Sequence, residues 1–119
     1  MIQRDIAIVF GQIADLLEFQ GENPFRIRAY RRAAESLERF PGDLNTLSEQ
    51  NRLRDIPGIG QDLAQKIREY LTSGSLQDFE RLKRKVPAGI LELLEIPGVG
   101  PKTVRLVYER LRISSLNQL

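Results

Sequence analysis

Ile56-Pro57-Gly58-Ile59-Gly60 and, forty residues further on, Ile96-Pro97-Gly98-Val99-Gly100 decide how this chain of 119 residues is read. The match extends beyond the turns. In phase with it, Leu53 falls on Leu93, Asp55 on Glu95, Ala64 on Val104, Ile67 on Val107, Glu69 on Glu109, Leu71 on Leu111, and Ser75-Leu76 on Ser115-Leu116. Two copies of a unit of about 24 residues follow, each a helix, a tight glycine turn and a second helix.

Two glycines flanking one apolar residue just ahead of a helix have a physical use. Glycine adopts positive φ without strain and has no side chain to hold another backbone away. The amides at such a turn and at the following helix N-terminus are unpaired donors in a field that favours anions. Gly58, Gly60, Gly98 and Gly100 therefore read as backbone phosphate cradles, with Ile59 and Val99 pointing inward to pin each turn. A tight helix–helix turn without a ligand is the plainer reading, and duplication of the whole pentapeptide weighs against it. Other phosphate motifs do not fit. Gln61-Asp62-Leu63 follows where a dinucleotide fold needs a third glycine, and there is no P-loop lysine–serine pair.

Outward from the turns, the chain reads as helix throughout. Ile6, Val9, Phe10, Ile13, Leu16 and Leu17 recur at three- and four-residue steps over Ile2 to Gln20, and Gly21 is a natural stop. Asn23-Pro24 reads as the N-cap and first turn of a second helix running to Phe40, where Pro41-Gly42 ends it. Asp43 to Arg54 has room for a turn of helix. Leu63, Ala64, Ile67 and Leu71 share a face of the helix after the first glycine turn, which Ser73-Gly74 breaks. Gln77 to Val86 is the next helix, Pro87 opens another, Pro101 to Leu111 follows the second turn, and Ile113 to Leu119 reads as the beginning of one more. The expectation is an all-α helical bundle of about seven or eight helices. It divides into residues 1–80, with the first hairpin, and 81–119, with the second.

Length and composition agree with one domain or two very small ones. Hydrophobic residues at 41% and charged residues at 29% describe an ordinary globular chain. Two absences exclude more. Without Cys there is no disulfide, thiolate nucleophile or iron–sulfur cluster, and without His there is no imidazole base. Any chemistry must run on Lys, Tyr, Ser, Thr or carboxylates. No apolar run approaches the roughly 20 residues of a membrane span, and no signal peptide is visible. The net charge of +2 averages unlike parts. Residues 24–40 hold five arginines against two glutamates, residues 81–85 add Arg81, Lys83, Arg84 and Lys85, and residues 1–23 are acidic. Basic charge is local, as a nucleic-acid face needs.

The paired I-P-G-[IV]-G turns resemble helix-hairpin-helix motifs, which grip nucleic-acid backbone without reading sequence. The order of segments is more specific still. Phe25-Arg26-Ile27-Arg28-Ala29-Tyr30-Arg31-Arg32-Ala33-Ala34 leads to Phe40-Pro41. A hairpin with Lys66 six residues past its second glycine follows, then Leu71-Thr72-Ser73-Gly74-Ser75-Leu76 and the second hairpin. This resembles the N-terminal part of family X DNA polymerases, the group of DNA polymerase beta and especially its bacterial branch, over essentially the whole chain. The resemblance covers that family's lyase domain, here 1–80, and the adjoining helix-hairpin-helix subdomain, here 81–119. Nucleotidyl transfer needs clustered carboxylates around two metal ions. No Asp-x-Asp pair with a third acid is present, and the family's catalytic palm would lie beyond Leu119.

The resemblance implies sequence-independent binding of DNA backbone at gaps or 5′-phosphate ends during base-excision repair, and a cytoplasmic, nucleoid-associated location. Amides around Gly58, Ile59, Gly60, Gly98, Val99 and Gly100 would contact phosphates, with Lys102 adding charge. It also implies a monovalent cation, K⁺ or Na⁺, on the carbonyls of Ile56, Ile59, Ile96 and Val99, and it gives Lys66 the role of Schiff-base nucleophile for a deoxyribose-phosphate lyase, supported by Tyr30. Only four lysines exist, and among the side chains only lysine forms an imine. Against this, Asp62 at i−4 and Glu69 at i+3 would hold Lys66 charged. The family's eukaryotic members carry phosphate-gripping lysines where this chain has Asp62 and Asp78, and often a glutamate where it has Gln65. Arg26 takes the place of another phosphate-binding lysine.

By pattern alone, Arg26 sits among Phe25, Ala29, Tyr30, Ala33, Leu37 and Phe40 on the expected inward face of its helix, in the first turn. There a cation opposes the helix dipole, so either a bound anion balances it or its stem reaches out to solvent. Three readings therefore stand: binding module with a Lys66 lyase, binding module with Lys66 structural in an ion pair with Glu69, and a protein-interaction domain on the same fold.

Overall fold

The computed structural model describes residues 2–111, and Ile113 to Leu119 lie outside them. In order come α1 (Ile2–Phe19), α2 (Pro24–Arg39), α3 (Leu44–Glu49), a 3₁₀ turn (Leu53–Asp55), α4 (Gln61–Ser73), α5 (Gln77–Lys85), α6 (Ile90–Leu94) and α7 (Pro101–Leu111). Among the described residues there is no strand. The all-α expectation holds.

α1 is the spine. Ile6, Phe10, Ile13, Ala14, Leu16 and Leu17 are all fully buried, a stripe wide enough to serve several neighbours. The helix packs mainly on α2 and also against α4, α5, α6 and α7. Gly21 at φ 71° ends it in a Schellman arrangement, the Glu22 amide donating to the Leu17 carbonyl at 2.9 Å and the Gly21 amide to Glu18 at 3.1 Å. The chain then reverses directly into α2, where the Asn23 carboxamide oxygen accepts from the Phe25 amide at 2.8 Å and Pro24 fills the first helical position.

The inward face of α2 differs from the expected one. Ile27, Tyr30, Ala33 and Leu37 are buried, whereas Phe25 is 73% exposed and Ala29 is also exposed. With 3.6 residues per turn, Phe25 lies about 140° around the helix from Tyr30, so once Tyr30, Ala33 and Leu37 face α1, Ile27 completes the stripe. Phe25 instead carries Arg28, whose guanidinium sits 4.7 Å from the ring centre.

The leading helix of the first hairpin is reduced to the 3₁₀ turn Leu53–Asp55. In the second hairpin the leading helix begins at Ile90, not at Pro87, because Pro87 starts a turn closed by the Ile90 amide at 3.2 Å and Gly89 takes φ 90°. Three polar contacts tie distant segments to α1. The Gln3 carboxamide donates to the Gly42 carbonyl at 2.8 Å, Gln12 donates to Glu95 at 2.7 Å, and Arg105 donates to the Phe19 carbonyl. The expected division at 80/81 falls within α5, which itself packs on α1.

Candidate nucleic-acid interface

The two glycine turns have the same backbone geometry. In the first, the Ile59 amide donates to the Ile56 carbonyl at 3.1 Å, with Gly58 at φ 84°. In the second, Val99 donates to Ile96 at 3.0 Å, with Gly98 at φ 81°. Proline at the second position and positive-φ glycine at the third define a type II turn. Gly58 and Gly98 are thus required by conformation. Ile56 and Ile59 are buried, and Ile96 and Val99 half-buried against the same core, so the apolar residues pin both turns as expected.

Gly60 and Gly100 are different. Neither has positive φ, and a β-carbon on either would meet nothing within 4 Å. Each opens the next helix, its carbonyl accepting from Ala64 at 2.9 Å and from Val104 at 3.0 Å. No side chain caps the start of α4. Neither strain nor crowding explains glycine here. What its absence of side chain provides is open approach to the amides of the turn and of the first helical turn, several of which have no acceptor of their own. The carbonyls of Ile59 and Val99 carry no hydrogen bond among the described residues either.

The cations of the chain are unevenly engaged. Arg26, Arg28, Arg32 and Lys102 are exposed. Arg31 is occupied, bonding Asp15 at 3.0 Å and Glu18 at 2.8 Å.

Lys66 is buried at 9% exposure on α4, and its ammonium group donates to both Asp62 oxygens at 2.9 and 3.0 Å. Asp78 of α5 stands 3.2 Å away on the other side. The expected pair with Glu69 does not form: that carboxylate accepts from the Gln77 amide at 2.7 Å and caps α5, which has no cap of its own at Leu76. Burial opposes charge on Lys66, but the Asp62 and Asp78 hydrogen bonds, with Tyr30 between them in effect, outweigh it and raise the amine above its ordinary pKa of 10.5. The stabilisation that goes with this raised pKa is present at neutral pH and is lost as pH rises through the raised value. Nearby, Tyr30 is 1% exposed and packs edge-to-face on Phe10, with ring centres 5.4 Å apart. Its buried hydroxyl lies beside Arg26 without a hydrogen bond of regular geometry. Burial raises its pKa, opposed by the charges of Lys66 and Arg26. Tyr30, Lys66, Asp62 and Arg26 thus share one neighbourhood, while Lys102 belongs to the second hairpin.

A family model described as "Helix-hairpin-helix domain" matches residues 1–76, and one described as "SAM-like Helix-hairpin-helix tandem" matches residues 75–119. The chain belongs to the helix-hairpin-helix domain family. Among curated proteins it is similar to the DNA polymerase/3′-5′ exonuclease PolX of Bacillus subtilis (strain 168), with 34% identity over 119 residues, all of this chain and 20% of that protein. It is also similar to DNA polymerase lambda of Arabidopsis thaliana, at 29% over 110 residues, 92% of this chain and 20% of the relative. The rat protein of the same name matches at 31% over 99 residues, 82% of this chain and 16% of the relative. The chain thus spans about a fifth of the length of the curated relatives it matches. Its likeness to the N-terminal region of family X DNA polymerases runs along its whole length.

In this helix-hairpin-helix chain two features escaped the sequence. Asp78 reaches Lys66 across the α4–α5 turn, a contact that spacing along one helix does not show. Arg32 of α2 lies against the first hairpin, a contact between segments that local spacing does not reveal.

Proposed function

We propose that the chain is a sequence-independent DNA-binding module that holds phosphodiesters on the amides of its two hairpins and acts on gapped or 5′-phosphate DNA in base-excision repair. The observation that carries this reading is the pair Gly60 and Gly100, glycines demanded by neither conformation nor packing and standing before helices with open amides. Exposed Lys102 adds charge at the second hairpin. A 5′-terminal phosphate, more negative than a bridging one, is received by the exposed Arg26, which lies beside the buried Tyr30. The family resemblance goes with a cytoplasmic setting, nucleoid-associated in a bacterium. A polymerase palm is the natural companion in a longer chain.

A monovalent cation fits the hairpins as well. Their donor set is all oxygen, suited to hard ions such as K⁺ or Na⁺. The unbonded carbonyls of Ile59 and Val99, with those of Ile56 and Ile96, would hold it. When bound it supplies positive charge beside the turn for the approaching phosphate.

The end-recognition part of this reading is tested by competition. A one-nucleotide-gapped duplex with a 5′-phosphate is expected to bind about tenfold more tightly than its 5′-hydroxyl counterpart, in line with one charge-assisted hydrogen bond. Equal affinities would remove the role of Arg26.

Lys66 is structural in this proposal. An amine forms an imine only when neutral, and here two carboxylates keep it charged at neutral pH. Borohydride treatment of the chain with an incised abasic duplex at neutral pH is expected to trap no covalent adduct. An adduct that disappears in Lys66→Ala would restore the lyase reading, for which the closeness of Tyr30 speaks.

A further inference from the structure

The two hairpins are alike in backbone but not in what lies against them. A β-carbon on Gly58 would stand 3.1 Å from Cγ of Arg32, 3.3 Å from its Cδ and 3.3 Å from its Nε, whereas the equivalent atom on Gly98 would meet nothing within 4 Å. The aliphatic stem of an α2 arginine thus lies in the space that the first turn leaves by having glycine at its third position. That contact carries the guanidinium to the hairpin from a different part of the chain. Arg32 is exposed and makes no ion pair or hydrogen bond among the described residues, in contrast to its neighbour Arg31, which is held by Asp15 and Glu18. The second hairpin depends on its own helix for charge, through Lys102, and Pro101 removes one amide there.

We propose that Arg32 and the first hairpin form a composite phosphodiester clamp, the turn amides bonding one side of a phosphate and the Arg32 guanidinium the other. The inference rests on the reading of the hairpins as phosphate cradles and adds to it a side chain from α2. The planar fork of arginine suits it to two phosphate oxygens at once, and packing of its stem on Gly58 orders it before DNA arrives, so little freedom is lost on binding. The first hairpin then grips the backbone more firmly than the second.

Affinity for a duplex of arbitrary sequence, measured across a salt series, tests this. Arg32→Ala is expected to weaken binding about tenfold and to reduce the slope of log K against log salt by about one. Arg32→Lys should keep the slope and lose part of the affinity, since it keeps the charge without the fork. Two combinations decide whether Arg32 acts with the first hairpin. Joined to Gly60→Ser, which obstructs that hairpin, Arg32→Ala should cost much less than the product of the two single effects. Joined to Gly100→Ser, its effect should multiply. An Arg32→Ala chain that binds like the original, or whose effect multiplies with both serines, overturns the clamp while leaving the cradles standing. Affinity of the unsubstituted chain that is indifferent to salt overturns both.

Discussion

Phe10→Ala is expected to lower the unfolding free energy by about 3–5 kcal/mol, a large part of the roughly 5–15 kcal/mol that a small domain possesses. Phe10 is fully buried in the middle of α1, and its ring meets Tyr30 of α2 edge-to-face. Truncation removes apolar burial and the aromatic pair, and leaves a cavity at the main helix–helix contact of the molecule. The consequence extends beyond α1 and α2. α1 also contacts α4, which begins at the first hairpin, and α6 and α7, which flank the second, so loosening it should weaken DNA binding together with stability. Ile8, two residues away and 50% exposed, is the comparison: Ile8→Ala should change stability by less than about 1 kcal/mol. Urea unfolding followed by circular dichroism measures both. Equal losses for the two variants would mean that α1 is not the spine.

What the sequence made legible and what it did not separate by range. Pro57-Gly58 and Pro97-Gly98 dictate their turns from within four residues, because proline presets one dihedral of a type II turn and glycine alone takes the next without strain. Asn23-Pro24 and Gly21 likewise set the α1–α2 corner by local hydrogen bonds. The inward face of α2 was misjudged by the choice of Phe25 over Ile27, since a single helix does not say which of two overlapping apolar stripes its partner will cover. Proline at position 87 suggested a helix start, but Gly89 supplied a further turn before Ile90.

The surroundings of Lys66 were legible in part, with Asp62 as expected and Glu69 not, for a related reason. Spacing along one helix offered Asp62 and Glu69 equally. Only the folded chain shows Glu69 drawn off to cap α5, leaving Asp78 for the lysine. The carboxylates at 62 and 78 are the pair that holds Lys66 between α4 and α5.

The largest expected effect on binding comes from Gly60→Ser combined with Gly100→Ser. Serine is a preferred N-cap, and its hydroxyl accepts from the amides of the first helical turn. Nothing lies within 4 Å to obstruct a side chain at either position, and neither needs positive φ. The fold should therefore tolerate both substitutions with unchanged or slightly raised thermal stability. The amides proposed to hold phosphate would instead be satisfied from within the chain. A hydrogen bond to a charged acceptor contributes about 1.5–3 kcal/mol, so each hairpin should lose roughly tenfold in affinity or more, and the pair about a hundredfold. The salt slope should change little, because counterion release follows the Lys and Arg contacts, which remain.

The decisive measurement is the dissociation constant of this double variant for duplex DNA at fixed salt, taken beside its melting temperature. A roughly hundredfold weaker constant at an unchanged or higher melting temperature is the predicted result. DNA binding as tight as that of the unsubstituted chain would contradict the account.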